Sequence, residues 1–126
     1  MPNPSRRPQG LARTQSLHLL GHEGLGRVAI THAALPTIFA VYYRVDSSSI
    51  TFRAVDAHLA SAAHHGDVAC FQADASSPDG TPMWSVQVIG RMREAPTPQR
   101  PDHNFDWCAG IPVHLSTEIV AGHAFT

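Results

Sequence analysis

Short runs rich in β-branched and aromatic residues, each bounded by turn residues, recur along most of this chain and restrict the fold it can adopt. Such runs are typical of β-strands. Six of them occur, at Arg27–Thr31, Thr37–Val45, Ile50–Ala54, Asp67–Ala73, Met83–Glu94 and Ile111–Val120. Six strands with few helical stretches predict a mostly β domain with short helices, built as an antiparallel barrel.

One segment between the third and fourth runs carries a helical pattern. Leu59, Ala62 and Ala63 recur at positions i, i+3 and i+4. Asp56 precedes them as a good N-cap, and Gly66 stands where a left-handed C-terminal residue belongs. We therefore predict a helix that begins after Asp56 and ends before Gly66.

The ends and connections of the chain give further local predictions. Residues 1–14 hold three Pro and three Arg with few apolar groups, so we expect a flexible arm, dispensable for folding, ahead of a single domain at 15–126. Ser16 is predicted to cap a short helix ending near His22. The remaining predictions are a turn at Leu35-Pro36, a bulge or bend at Gly90 and a short helix over His103–Ala109.

Charge and composition exclude several classes of function. The net charge of −1 argues against a nucleic-acid partner, which would require a basic face. All nine basic residues are Arg, so a Lys Schiff base or Lys general base is excluded. No window approaches the ~18 apolar residues of a membrane span, and no apolar core follows the first arginines. We expect a cytoplasmic protein without a membrane partner.

The cysteines and histidines show no metal-binding pattern. Cys70 and Cys108 do not form a CxxC motif, and Cys70 lies in an apolar run that predicts a small buried residue. Adjacent His64 and His65 point to different faces of a helix, and the other seven histidines have no ligand spacing. We predict no metal site.

Three stretches, in this order, resemble one known family. They are GRVAITHAALPTIFAVYYRVDSSSITFR, HLASAAHHGDVACFQAD and WSVQVIGRMRE. They are similar to the flavin-binding branch of the pyridoxamine-5′-phosphate-oxidase-like family, and DWCAGIPVHLSTEIVAG is similar to the family's last strand. The resemblance spans about residues 16–122. It implies a six-stranded split β-barrel and a homodimer with two FMN sites at the subunit interface.

The resemblance also implies where the flavin lies. The isoalloxazine ring would rest against the backbone of the second predicted strand, and the phosphate at the end of the third strand and the start of the helix. The beginning of the long strand would contribute as well. The residues placed at the cofactor are Thr37, Ile38, Phe39, Ala40, Val41, Arg53, Ala54, His58, Leu59, Trp84 and Ser85.

The segment expected to hold the phosphate departs from the family pattern. Arg53 is well placed for a bidentate contact, but the following Thr and Gly are absent and His58 stands where Lys is expected. Asp56 as N-cap would compete with a phosphate for helix N–H groups and repel its charge. In the second strand, Ala40 and Tyr42 replace the usual Pro and Asn.

The resemblance, together with these departures from the family pattern, implies two classes of function. The first is an FMN-dependent oxidoreductase that moves a hydride between a donor and a small-molecule substrate. The second is a non-catalytic member of the same fold whose phosphate site has degenerated. A deazaflavin or haem protein is a third possibility, and the absorbance spectrum separates all three.

Overall fold

The computed structural model describes residues 7–46, 49–96 and 110–126. These ranges contain two helices and eight strands, and neither helix is long and apolar enough to cross a membrane. In chain order the elements are β1 (Pro8–Leu11), α1 (Arg13–Leu19), β2 (Glu23–His32), β3 (Leu35–Val45), β4 (Ser49–Ala54), α2 (Ala57–His64), β5 (Val68–Ser76), β6 (Pro82–Glu94), β7 (Ile111–Ser116) and β8 (Ile119–Phe125).

Six strands close an antiparallel barrel, which confirms the predicted fold. The order around the barrel is β6, β5, β2, β3, β4 and β7, and β7 pairs again with β6. One edge of β6 is shared between two partners, β8 along residues 84–89 and β7 along residues 92–94. Strands β8 and β1 therefore extend the sheet beyond the closed barrel.

The barrel interior is filled by alternate residues of its strands. In β6, for example, Val86, Val88 and Met92 are buried, whereas Gln87 and Arg91 are exposed. Helix α2 packs on the barrel through Leu59, Ala62 and Ala63. The largest side chains with almost no exposed surface are Phe52, Phe71, Ile50, Leu59, Met92 and Leu115.

Helix α2 follows its predicted boundaries. The Asp56 carboxylate accepts hydrogen bonds from the backbone N–H groups of His58, at 2.8 Å, and Leu59, at 3.3 Å. Gly66 has φ of +72°, the left-handed conformation that ends a helix at low cost. A strong cap and a compatible C-terminal residue made this element predictable.

The prediction of a flexible arm is wrong from Pro8 onward. Residues 8–11 form β1, which pairs with β8, and the Arg13 guanidinium donates to the carbonyl oxygen of Thr117 at 2.6 Å. Strand pairing at an edge needs no apolar pattern, because the backbone supplies the contacts. Residues 1–6 lie outside the described ranges, as does the helix predicted over 103–109.

Three other boundaries also differ from prediction. Ala12, not Ser16, is the N-cap of α1, since Ser16 is buried within the helix and donates to the Ala12 carbonyl oxygen. The first turn lies at Ala33-Ala34 rather than Leu35-Pro36. The last predicted strand is two strands, β7 and β8, separated by residues 117–118.

Gly90 permits a close crossing rather than a bulge. The pairing of β5 with β6 runs in one register past Gly90, and its irregularity lies between Ala75 and Ser76. A Cβ atom on Gly90 would overlap the carbonyl oxygen of Ser116, where β7 ends. The absence of a side chain lets the connection from β7 to β8 pass directly over β6.

Gly90→Ala should therefore lower the free energy of unfolding by about 1–3 kcal/mol, the usual cost of overpacking a closed site. Gly10→Ala is the matched control, because a Cβ atom in that strand would meet nothing within 4 Å. Urea denaturation measures both variants. Equal stabilities of the two would contradict the crossing as the reason for glycine at position 90.

Candidate functional site

The barrel opens between β3 and β4, the two strands that would otherwise be neighbours over their whole length. They are paired only from Tyr43 with Phe52 to Val45 with Ile50. Beyond Phe52, β4 stays with β7, whereas β3 continues along β2 as far as Leu35. The two strands therefore separate and leave a gap between them.

A cavity of about 440 Å³ occupies this gap, and we call it the wedge. It brings together six residues that the sequence placed at a cofactor: the four from Ile38 to Val41, with Arg53 and Leu59. Thr37, Ala54 and His58 are not in its lining. The full set of lining residues is Ile38, Phe39, Ala40, Val41, Arg53, Val55, Asp56 and Leu59.

One wall of the wedge is an open strand edge. Two observations determine which backbone groups of β3 face β2 and which face β4. The turn after His32 has two residues, and the N–H of Asp46 donates to the carbonyl oxygen of Ser49. Even-numbered residues of β3 direct their N–H and C=O groups toward β4. For Ile38 and Ala40 no described strand lies opposite, so their backbone groups face the wedge.

The opposite wall carries one positive and one negative side chain. Arg53 Nη1 donates to the Gly110 carbonyl oxygen at 3.1 Å, which holds the guanidinium near the end of β4. Asp56 uses its carboxylate to cap α2, as predicted, and so occupies N–H groups that an anion would need. Arg53 is the cationic side chain in the wedge lining.

Comparison with known proteins identifies the family. Residues 12–107 match the sequence profile described as pyridoxamine 5′-phosphate oxidase. The chain belongs to the pyridoxamine 5′-phosphate oxidase family. It is 32% identical to the uncharacterized protein Rv0080 of Mycobacterium tuberculosis over 104 residues, which are 79% of this chain and 68% of that protein.

Solved structures show that the barrel is shared with members of the pyridoxamine 5′-phosphate oxidase family and with flavin-binding proteins. The FAD-binding protein of Mycobacterium smegmatis superposes with a TM-score of 0.72 at 24% identity, over 95% of this chain and 100% of that one. An FAD-binding protein of Mesorhizobium loti gives 0.78 at 17% identity, over 97% and 99%. At these identities the likeness establishes the fold.

Within one chain of this family member, Trp84 and Ser85 do not line the wedge. They line a separate cavity of about 370 Å³ together with Asp74 and Phe125. Gln72 Nε2 donates to Asp74 at 2.9 Å and to Ser85 Oγ at 3.3 Å. Trp84 also borders an apolar groove of about 590 Å³ along α1.

Sequence reasoning missed part of the site. Val55 and Asp56, in the turn where the phosphate was expected, do line the wedge. The role of Gly110, whose carbonyl group positions Arg53, was not predicted. Gly110 has φ of +103°, and a Cβ atom there would overlap the Ala54 carbonyl oxygen. The sequence signal for Gly110 was weak: a single glycine directly before a strand.

His58 faces the turn between β2 and β3. Its ring lies 3.9 Å from the ring of His32, centroid to centroid, with an interplanar angle of 38°. The position expected to contact phosphate therefore contacts another imidazole instead.

The described residues bring no three His, Cys, Asp or Glu side chains together as a metal site.

A third titratable group, His114 of β7, is the cross-strand partner of Thr51, which lies two residues before Arg53 in β4. The Thr51 hydroxyl lies 2.9 Å from an Asp46 oxygen and 2.8 Å from His114 Nδ1. Burial, followed by the nearby Arg93 charge, lowers the pKa of His114, while Asp46 acts in the opposite direction. His114 is accordingly disposed to stay neutral, and it adds no fixed positive charge near Arg53.

An apolar row crosses the outside of the barrel over five strands. Its members are direct cross-strand partners, from β3 through β2, β5 and β6 to β8. Two are largely exposed, Ile38 at 66% and Ile119 at 59%. We call it the outer row, and it consists of Ile38, Ala29, Cys70, Ile89 and Ile119.

None of the chain's aromatic residues is a member of the outer row. Tyr43 is in the core, where its hydroxyl donates to the Leu20 carbonyl oxygen at 2.6 Å and burial raises its pKa. Phe39 and Trp84 are half-buried against the core, and Trp107 lies outside the described ranges. The outer row is therefore the better evidence for a covered face.

Proposed function

We propose that this chain binds a flavin in the wedge, with FMN as the cofactor, and acts in the cytoplasm as an oxidoreductase on a small-molecule substrate. The observation that carries the proposal is the open edge of β3 at Ile38 and Ala40. The FAD-binding proteins with the same barrel support a flavin as the ligand class.

The residues of the wedge suit the ring of a flavin. Its pyrimidine edge alternates C=O and N–H groups, and the backbone groups of Ile38 and Ala40 offer complementary donors and acceptors. Phe39, Val41 and Leu59 supply apolar surface that excludes water from the ring. When bound, the flavin itself supplies the hydride chemistry, and the protein orients it.

Arg53 would hold the phosphate of FMN. It lies beyond the end of the β3–β4 ladder, and no Lys exists in the chain to take its place. An Arg–phosphate pair forms two parallel charge-assisted hydrogen bonds. Asp56 opposes this interaction, because its carboxylate already accepts from the first N–H groups of α2.

The Asp56 cap favours one alternative: a non-catalytic member of the family whose phosphate site has degenerated. Absorbance titration of the purified protein with FMN, and separately with FAD, distinguishes the alternatives. A flavin protein is yellow, a haem protein is red-brown, and a degenerate protein takes up neither flavin. Absorbance typical of a deazaflavin or haem would replace the flavin assignment.

A second copy of the chain is the partner that we propose for the outer row. Exposed isoleucines at both ends of a continuous apolar row are typical of a covered face rather than of free surface. In one chain, Trp84 and Ser85 line another cavity. In a homodimer they could contact the cofactor of the partner subunit across the interface.

Charge changes at the wedge should alter FMN affinity in opposite directions. Arg53→Ala should weaken binding by about ten- to hundredfold, the equivalent of about 1.5–3 kcal/mol for a hydrogen bond to a charged group. Asp56→Gly and His58→Lys should strengthen it, since each makes the helix start more positive while Gly remains an acceptable cap. Fluorescence titration measures all three variants.

Two results would contradict this assignment. Tight FMN binding that Arg53→Ala leaves unchanged would place the phosphate elsewhere. Binding that is undetectable in the parent and appears only in the Asp56→Gly, His58→Lys double variant would favour the degenerate site.

The dimer depends on the outer row staying apolar. Ile119→Asp should convert a parent that sediments at twice the 13.6 kDa chain mass into a monomer, because a charge would be buried in the interface. Met83→Asp is the control, an exposed apolar residue outside the row. A parent that is monomeric at micromolar concentration would contradict both the dimer and the shared site.

A further inference from the structure

The wedge is bounded at its two ends by different kinds of contact. At one end the β3–β4 ladder closes it, beginning at the Tyr43–Phe52 pair. At the other end the β2–β3 turn meets helix α2 through the ring contact of His32 with His58, whose centroids are 3.9 Å apart. Backbone hydrogen bonds hold the first end, whereas at the second end, beyond the lining residues, the contact is between two side chains of β2 and α2.

The second contact is built to open without disturbing the core. Both rings belong to exposed residues. Helix α2 keeps its own attachment to the barrel through Leu59, Ala62 and Ala63, which are buried whether or not His58 meets His32. Opening therefore requires no apolar core residue to leave its place.

The turn that carries His32 is strained. Ala33 and Ala34 have φ of +50° and +63°, the left-handed region that non-glycine residues adopt at a cost. Two-residue hairpin turns usually place Asn or Gly at such positions. Strain of this kind persists where surrounding contacts hold it, and the ring of His32, directly before the turn, has such a contact with His58.

We propose that the His32–His58 contact is a clasp that closes the far end of the wedge and sets the rate at which a flavin enters and leaves. The proposal rests on the proposed function for the identity of the ligand. Detachment moves the hairpin tip away from α2 and widens the wedge between Ile38 and Asp56. Re-formation of the contact between His32 and His58 encloses the flavin ring in the wedge.

The experiment compares FMN release from the full-length parent with release from His32→Ala, His58→Ala and the double variant. Release is followed by the fluorescence of free FMN after dilution. Each single variant should release FMN about three- to tenfold faster, the scale of one ring contact, and the double variant no faster than either single. His58→Phe retains a ring and should release FMN at nearly the parent rate.

His64→Ala is the matched control, since His64 lies on the same helix, has a side chain that is 72% exposed, and contacts Glu94 of β6 rather than His32. Amide hydrogen exchange of Leu35 and Thr37 in flavin-free protein gives a readout that needs no cofactor. Their N–H groups bond across to β2 near the hairpin tip. Their exchange should quicken in His32→Ala and His58→Ala and stay at the parent rate in His64→Ala.

Unchanged FMN release in both single variants would overturn the clasp, even if exchange at the hairpin quickens. A parent that takes up no FMN would instead defeat the proposed function, and hydrogen exchange would then decide the clasp. Faster exchange of Leu35 and Thr37 would support it as the closing contact of the wedge. Exchange at the parent rate would overturn it.

Discussion

The separation of β3 from β4 after Phe52 is the constraint on which the rest of the site depends. β4 stays paired with β7 to its end, and β7 is tied to β6 at Met92–Glu94. β3 stays paired with β2 over its whole length. Because β3 and β4 each stay paired with a different strand, they separate from one another. Gly90 allows the close crossing by which β6 pairs with both β7 and β8.

This origin of the wedge explains why its two halves differ in character. The half formed by β3 presents the backbone N–H and C=O groups of Ile38 and Ala40. These groups are present whatever side chains the two residues carry. The half that would hold a phosphate depends on side chains, and there Arg53 is opposed by the Asp56 cap. A family member can therefore keep the means to bind a ring while the charge at the phosphate end varies.

The same distinction separates what the sequence could predict from what it could not. Helix α2 was predictable because Asp56 and Gly66 are local signals that the structure uses as expected. Strand β1 was not, because its pairing with β8 is made by the backbone of exposed residues. The wedge depends on where a long-range ladder ends, and no pattern in the residues of β3 or β4 marks that point. Gly110 and the contact of His32 with His58 likewise join residues far apart in the chain.

Amide hydrogen exchange of β3, measured by NMR with and without FMN, tests the central claim most directly. The N–H groups of Ile38 and Ala40 face the wedge, whereas that of Phe39 is already bonded to β2. FMN should slow exchange at Ile38 and Ala40 by a large factor and leave Phe39 nearly unchanged. Saturation with FMN that leaves the exchange of Ile38 and Ala40 unaltered would contradict the open edge of β3 as the flavin-binding surface.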